Sequence, residues 1–182
     1  MVSGIFQVIQ VAVATQLFIY GKGGSTGLGW LYAVAGLGTA FGPLWTRKFT
    51  GDNDVALRWA ILISYLLSIA GVAISAPLWS FGWLLFGTFV RTYGEGINWV
   101  FSSQLLYQHT PAGFRGRVFS VEFAIFTLAQ ALSAGLGGFL LENMPFNLSS
   151  LMMGIAVSAA FPMCLWIFWL VKKPRQGSRE GG

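Results

Sequence analysis

Apolar residues run in six long blocks along the chain, separated by short stretches of glycine, proline and charge. The first spans Gly4 to Tyr20 and ends at GKGGSTG; the second, Leu28 to Trp45, runs into TRKFTGDND. The third, Leu57 to Ala76, stops at Pro77, and the fourth, Leu78 to Gln108, is longer and more polar. The fifth covers Val118 to Leu141, and ENMPFNLSS separates it from the sixth, Ser150 to Val171. Each block is close to the roughly 20 residues that a helix needs to cross a bilayer. The pattern predicts an all-α membrane protein with six transmembrane helices within residues 1–172. Residues 173–182 are polar and glycine-rich, the composition of a disordered tail. No basic region precedes the first block and no cleavage site follows it, so it reads as a retained helix.

Composition supports lipid as the solvent. Of the 182 residues 55% are hydrophobic and 9% charged, against about a quarter charged in a soluble domain. The net charge of +5 does not indicate a nucleic-acid partner, which would need a basic patch in polar surroundings. Here the cations sit in the gaps. Arg47, Lys48, Arg58, Arg115, Arg117, Lys172, Lys173, Arg175 and Arg179 fall on one side of the predicted bilayer, and Lys22 alone falls on the other. Short Lys/Arg-rich loops remain cytoplasmic. Both termini are therefore expected on the cytoplasmic side of the cell (inner) membrane. Cys164 is the single cysteine, so no internal disulfide or zinc cluster can form.

The eleventh cation, Arg91, lies inside the fourth block. Thr88, Arg91, Glu95, Asn98 and Ser102 recur at intervals of three and four, which sets them on one helical face. An ionisable residue at this depth costs roughly 2.5–3.5 kcal/mol on insertion scales. Arg91 and Glu95 can offset part of that as an i,i+4 pair. The stripe is the candidate substrate or proton pathway, with Gln7 and Gln10 of the first block as further contributors. The second and fifth blocks carry close-spaced glycines, Gly38 with Gly42 and Gly137 with Gly138, suited to helix packing in lipid. Polar first and fourth blocks and glycine-rich second and fifth blocks predict two inverted three-helix repeats, a transporter pattern. Glu122 is placed one turn into the fifth block, within reach of Arg115 and Arg117, to orient the loop or latch a gate. His109 and Gln130 are assigned structural roles. Asn147 opens a glycosylation sequon that is discounted as a chance match. No catalytic set, phosphate-binding loop, metal site or cofactor motif is present, and no enzyme activity is expected.

The stretch from Pro111 through Arg115, Gly116, Arg117 and Val118, running into FTLAQALSAGLGGFL, resembles the major facilitator superfamily. There a P-x-x-x-R-G-R turn joins the fourth helix of each six-helix half to a glycine-rich fifth. The segment GLGWLYAVAGLGTAFGPLWTRK is similar to the loop and second helix of a half. Gly42 and Arg47 fit that motif, whereas Thr46 stands where the family has aspartate. The resemblance covers residues 1 to 172 and implies the carboxy-terminal half of such a fold, nearest to its efflux branch. It implies a secondary transporter that moves a small organic molecule by alternating access, its cavity lined by the first and fourth helices. Arg47, Arg115, Gly116, Arg117 and Glu122 would form the cytoplasmic loop and gate. An amino-terminal six-helix half, or a second copy, would complete the cavity. The competing expectation is a non-transporting scaffold or assembly subunit with the same fold.

Overall fold

A computed structural model describes residues 2–51, 53–143 and 148–172. The Asn147 sequon and the tail 173–182 lie outside the described residues. Among those residues the chain is helical, with no strand. Helix α1 (Val2–Ala12) widens into a π-helical turn over Val13–Leu17; α2 is Ser25–Thr50, α3 Asp54–Ser75, α4 Phe81–His109, α5 Arg115–Asn143 and α6 Leu148–Lys172. By length and composition α3, α5 and α6 can cross a membrane. The other helices are shorter, or carry the glycine and polar residues singled out above.

Local chemistry sets the ends. Asn53 caps α3 by accepting from the Val55 amide at 3.0 Å, and Ser80 caps α4 by accepting from the Trp83 amide at 3.2 Å. Such caps satisfy amides that the first turn leaves free. Helix α2 runs past the predicted Trp45 to Thr50, and Gly51 ends it at φ 55°. Arg47 and Lys48 fall in its last turn, where cations favour the negative end of the helix dipole. That stabilises a turn which hydropathy alone excludes. At the other end of α2, Gly24 holds φ 79° directly against the π-turn. A Cβ there would lie 2.9 Å from the Ala14 carbonyl carbon and 3.1 Å from Thr15 Cα.

Helix α4 is central: it packs against α2 and α3, while α1 packs against α5 and α6, and α3 against α6. Two apolar clusters result. Phe6, Ile9, Val13, Leu31, Val72, Leu84 and Met152 meet at the end carrying the α1–α2 and α3–α4 connections. Leu57, Ala60, Ile61, Ile97 and Phe101 meet at the opposite end. Between them α3 and α4 approach backbone to backbone. A Cβ on Gly94 would lie 2.6 Å from the Ser64 carbonyl oxygen and 2.7 Å from Ser68 Oγ; one on Gly87 would lie 2.9 Å from the Ser75 amide. On Gly71 a Cβ would reach within 2.6 Å of Arg91 Cα, so α3 fixes the height at which Arg91 is presented. Ser64 and Ser75 donate to carbonyls of their own helix, at 2.7 Å and 2.9 Å, so this polar seam buries no free hydroxyl donor.

Of the four glycines expected to pack, three do. A Cβ on Gly38 would meet the Phe89 carbonyl oxygen at 2.8 Å, one on Gly42 the Tyr93 carbonyl carbon at 3.2 Å, and one on Gly137 Ile5 Cα at 3.1 Å. Gly138 meets nothing within 4 Å. One residue further is about 100° round the helix, which turns it away from the α1 contact.

Candidate functional site

The stripe on α4 faces α1 at its outer turns. Phe6, Gln10, Thr88 and Arg91 are all buried. Gln10 Nε2 donates to Thr88 Oγ1 at 3.1 Å, joining the polar faces of the first and fourth helices directly. One turn along α4, the Arg91 guanidinium lies over the Phe6 ring, 4.2 Å from its centroid. Its Nη1 donates to Glu95 Oε1 in an i,i+4 ion pair. Further on, Ser102 Oγ donates to Asn98 Oδ1 at 3.2 Å, both half-buried.

The ion pair is asymmetric. The Arg91 side chain is 4% exposed and that of Glu95 33%. Arg91 Nε has no hydrogen-bond partner among the described residues. A buried guanidinium costs several kcal/mol of desolvation unless its charge and donors are met. Here Phe6 meets one face and Glu95 one donor, so the arginine is held partly unsatisfied. Glu95 contributes one oxygen to Arg91 and keeps acceptor capacity for another cation or proton.

Gln7 does not join Gln10. It is exposed, because three residues along a helix leave the two about 60° apart and only Gln10 meets Thr88.

At the α4–α5 turn, Arg115 folds back onto α4. Its Nε donates to the Thr110 carbonyl at 3.1 Å and its Nη1 to the Tyr107 hydroxyl at 2.8 Å. The guanidinium carbon lies 3.8 Å above the Tyr107 ring centroid. Arg117 is exposed, and a Cβ on Gly116 would meet open space. Glu122 forms no ion pair with Arg115 or Arg117 among the described residues, contrary to the latch expected from its position. The backbone carbonyl and phenol of α4 are nearer and hold Arg115 instead. Tyr107 was not singled out in the sequence; its spacing of eight from Arg115 across a proline turn was the available signal. His109 also has a partner, Asp54 Oδ2 at 3.5 Å from its Nε2, and Asp54 pairs with Arg58 at 2.9 Å. These contacts tie α3 to the end of α4. Exposed Arg47 precedes Lys48, whose Nζ stands 5.0 Å from the Trp45 ring centroid. Among the described residues no group of three or more His, Cys, Asp or Glu could hold a metal.

Apolar helices enclosing an ion pair at mid-helix define a multi-pass membrane protein. Over residues 1–182 the sequence matches the family model described as Major Facilitator Superfamily, and the chain belongs to that superfamily. No curated protein and no solved structure matches it.

Proposed function

We propose that the chain is a six-helix half, the carboxy-terminal one, of a secondary transporter that exports a small organic molecule by alternating access. The carrying observation is the hydrogen bond between Gln10 and Thr88, next to the buried pair of Arg91 and Glu95. Polar residues of the first and fourth helices meet at one depth, where a charge has no structural necessity. The helix pairs support two inverted repeats. Pairing of α1 with α5 corresponds to that of α4 with α2, and α1 with α6 to α4 with α3, on moving three helices along the chain. In this reading Glu95 carries a proton or a cargo charge, and Arg91 positions its carboxylate. Gln7, Gln10, Thr88, Asn98 and Ser102 line the pathway. Arg47, Arg115, Gly116 and Arg117 shape the cytoplasmic loops, and both termini lie on the cytoplasmic side of the cell membrane. The remaining wall comes from an amino-terminal six-helix half or a second copy.

The test uses cells stripped of their own exporters. The chain is expressed alone or with the amino-terminal half of a major facilitator, and accumulation of ethidium and of uncharged Nile red is measured. The chain alone inserts and exports neither; the pair of halves lowers accumulation of at least one. Glu95→Gln preserves abundance and removes that export. Two correctly inserted halves that change neither dye would overturn the transport reading and favour a scaffold.

A further inference from the structure

Helices α4 and α5 face each other across a seam of rings. Tyr107 pairs with Phe119, centroids 6.4 Å apart, and Trp99 with Phe126, centroids 4.5 Å apart. The numbers run in opposite directions, so the helices are antiparallel, and the seam has a fixed register. Phe119, Glu122 and Phe126 recur at three and four residues, which puts Glu122 between the two rings on the side of α5 that faces α4. On α4, Glu95 precedes Trp99 by four residues, the neighbouring position on one face. The Trp99–Phe126 pair therefore has a carboxylate one turn away on each helix, at its two opposite ends.

Neither acid is used up. Glu95 is a third exposed with one oxygen engaged, and Glu122 is half-buried with no ion pair or hydrogen bond among the described residues. Trp99 and Phe126 are 41% and 37% exposed, so their ring surfaces remain reachable. Elsewhere on the same helices this chemistry already holds cations: Arg91 stands on Phe6 and Arg115 on Tyr107. Among the described residues no side-chain cation stands on Trp99 or Phe126. Arg91, Glu95 and Glu122 together sum to one negative charge. A ring face attracts a cation, most strongly when the cation is desolvated.

We propose that the α4–α5 seam is the cargo site and that its cargo is a lipophilic organic cation. The cation rests on Trp99 and Phe126, with Glu95 and Glu122 as its counter-charges. This rests on the transport reading and narrows its substrate class. Arg91 stays in place, because its burial makes withdrawal of Glu95 costly, and the free acceptor positions of Glu95 take the added charge.

Tetraphenylphosphonium and tetraphenylborate have the same size and shape and opposite charge. Equilibrium dialysis of each is performed against the purified full chain in lipid nanodiscs, with empty nanodiscs as the partition baseline. The phosphonium binds above baseline and the borate does not. Glu95→Gln weakens phosphonium binding at least tenfold and Glu122→Gln several-fold. Trp99→Leu weakens it about fivefold, Trp99→Phe restores most of the loss, and Trp79→Leu, a far-end exposed tryptophan, changes nothing. Equal binding of both ions, or unchanged phosphonium affinity in both glutamine variants, would overturn the proposal. Should Glu95→Gln fail to give monodisperse protein, Glu122→Gln and the Trp99 pair decide. Phosphonium bound at these residues without export by paired halves would sink the transport reading and leave the site. Export of Nile red without phosphonium binding would sink the site alone.

Discussion

Replacing glycine by alanine at two positions should move stability in opposite directions, for reasons visible in the helix contacts. At Gly94 the added methyl would lie 2.6 Å from the Ser64 carbonyl oxygen, 2.7 Å from Ser68 Oγ and 3.0 Å from the Ser68 amide. Two of those three atoms are backbone, so a rotamer change cannot clear the clash. Ordinary contact begins at 3.4 Å, so α3 and α4 must separate by about 0.8 Å locally and lose dispersion contact along the seam. Overpacking of this kind costs about 1–3 kcal/mol, and the backbone obstruction puts Gly94→Ala toward the upper end. Better helix propensity returns about 1 kcal/mol, which leaves a net loss of about 1–2 kcal/mol. At Gly138 nothing lies within 4 Å, so only the propensity gain of up to about 1 kcal/mol remains. Thermal unfolding of each purified variant, followed by fluorescence-detected size-exclusion chromatography, reads the difference. Equal midpoints, or a Gly94→Ala variant more stable than the parent, would refute the close α3–α4 seam.

Three further outcomes are expected. Replacing Glu95 with leucine strands the buried Arg91 charge and should cost about 2–3 kcal/mol, less than a fully buried pair because Glu95 is partly solvated. Arg91→Met should cost less, and the double variant should be at least as stable as either single one by the same unfolding assay. Arg115→Ala should lose about 1–2 kcal/mol with its carbonyl, phenol and ring contacts, whereas Arg117→Ala, at an exposed position, should fall within about 0.5 kcal/mol of the parent. In a Cys164→Ser background, cysteines at Lys22 and Ser80 should react with an impermeant maleimide from outside and one at Gly113 only after permeabilisation. The reverse labelling would invert the orientation read from the positive charges.

Much of the helix order was legible because hydropathy and turn residues act locally. The third to sixth blocks begin and end within three residues of α3 to α6, whereas α2 gains a basic last turn and α1 ends at Ala12, short of the predicted Tyr20, where the chain passes into the π-turn. The stripe from Thr88 to Ser102 was legible for the same reason, since its spacing alone puts it on one face. Contacts between helices were harder. Gly38 and Gly42 advertise close approach, but the equally close α3–α4 seam divides its small residues between two chemistries. Ser64, Ser68 and Ser75 stand on one helix and Gly87 and Gly94 on the other, and neither set looks like a glycine motif by itself. Sequence distance alone sets Glu122 beside the arginine turn, whereas its helix face sets it between Phe119 and Phe126. The register of Tyr107 with Phe119 and of Trp99 with Phe126 depends on how the proline turn folds back, which no local pattern encodes.

The α3–α4 seam bears on how the protein can change shape. The contact is made of backbone and small hydroxyls, Ser64 and Ser75 bonded within their own helix and Ser68 donating across the seam to the Arg91 carbonyl at 3.4 Å, with no titrating side chain in it. It has no second arrangement to occupy, so α3 and α4 move as one rod. Displacement in the outer half of the bundle is left to places where the helical ladder is already irregular. The π-turn at Val13–Leu17, propped on a left-handed glycine, is such a place. Rigid at the charge pair and pliant at the rim, the fold separates what holds position from what yields.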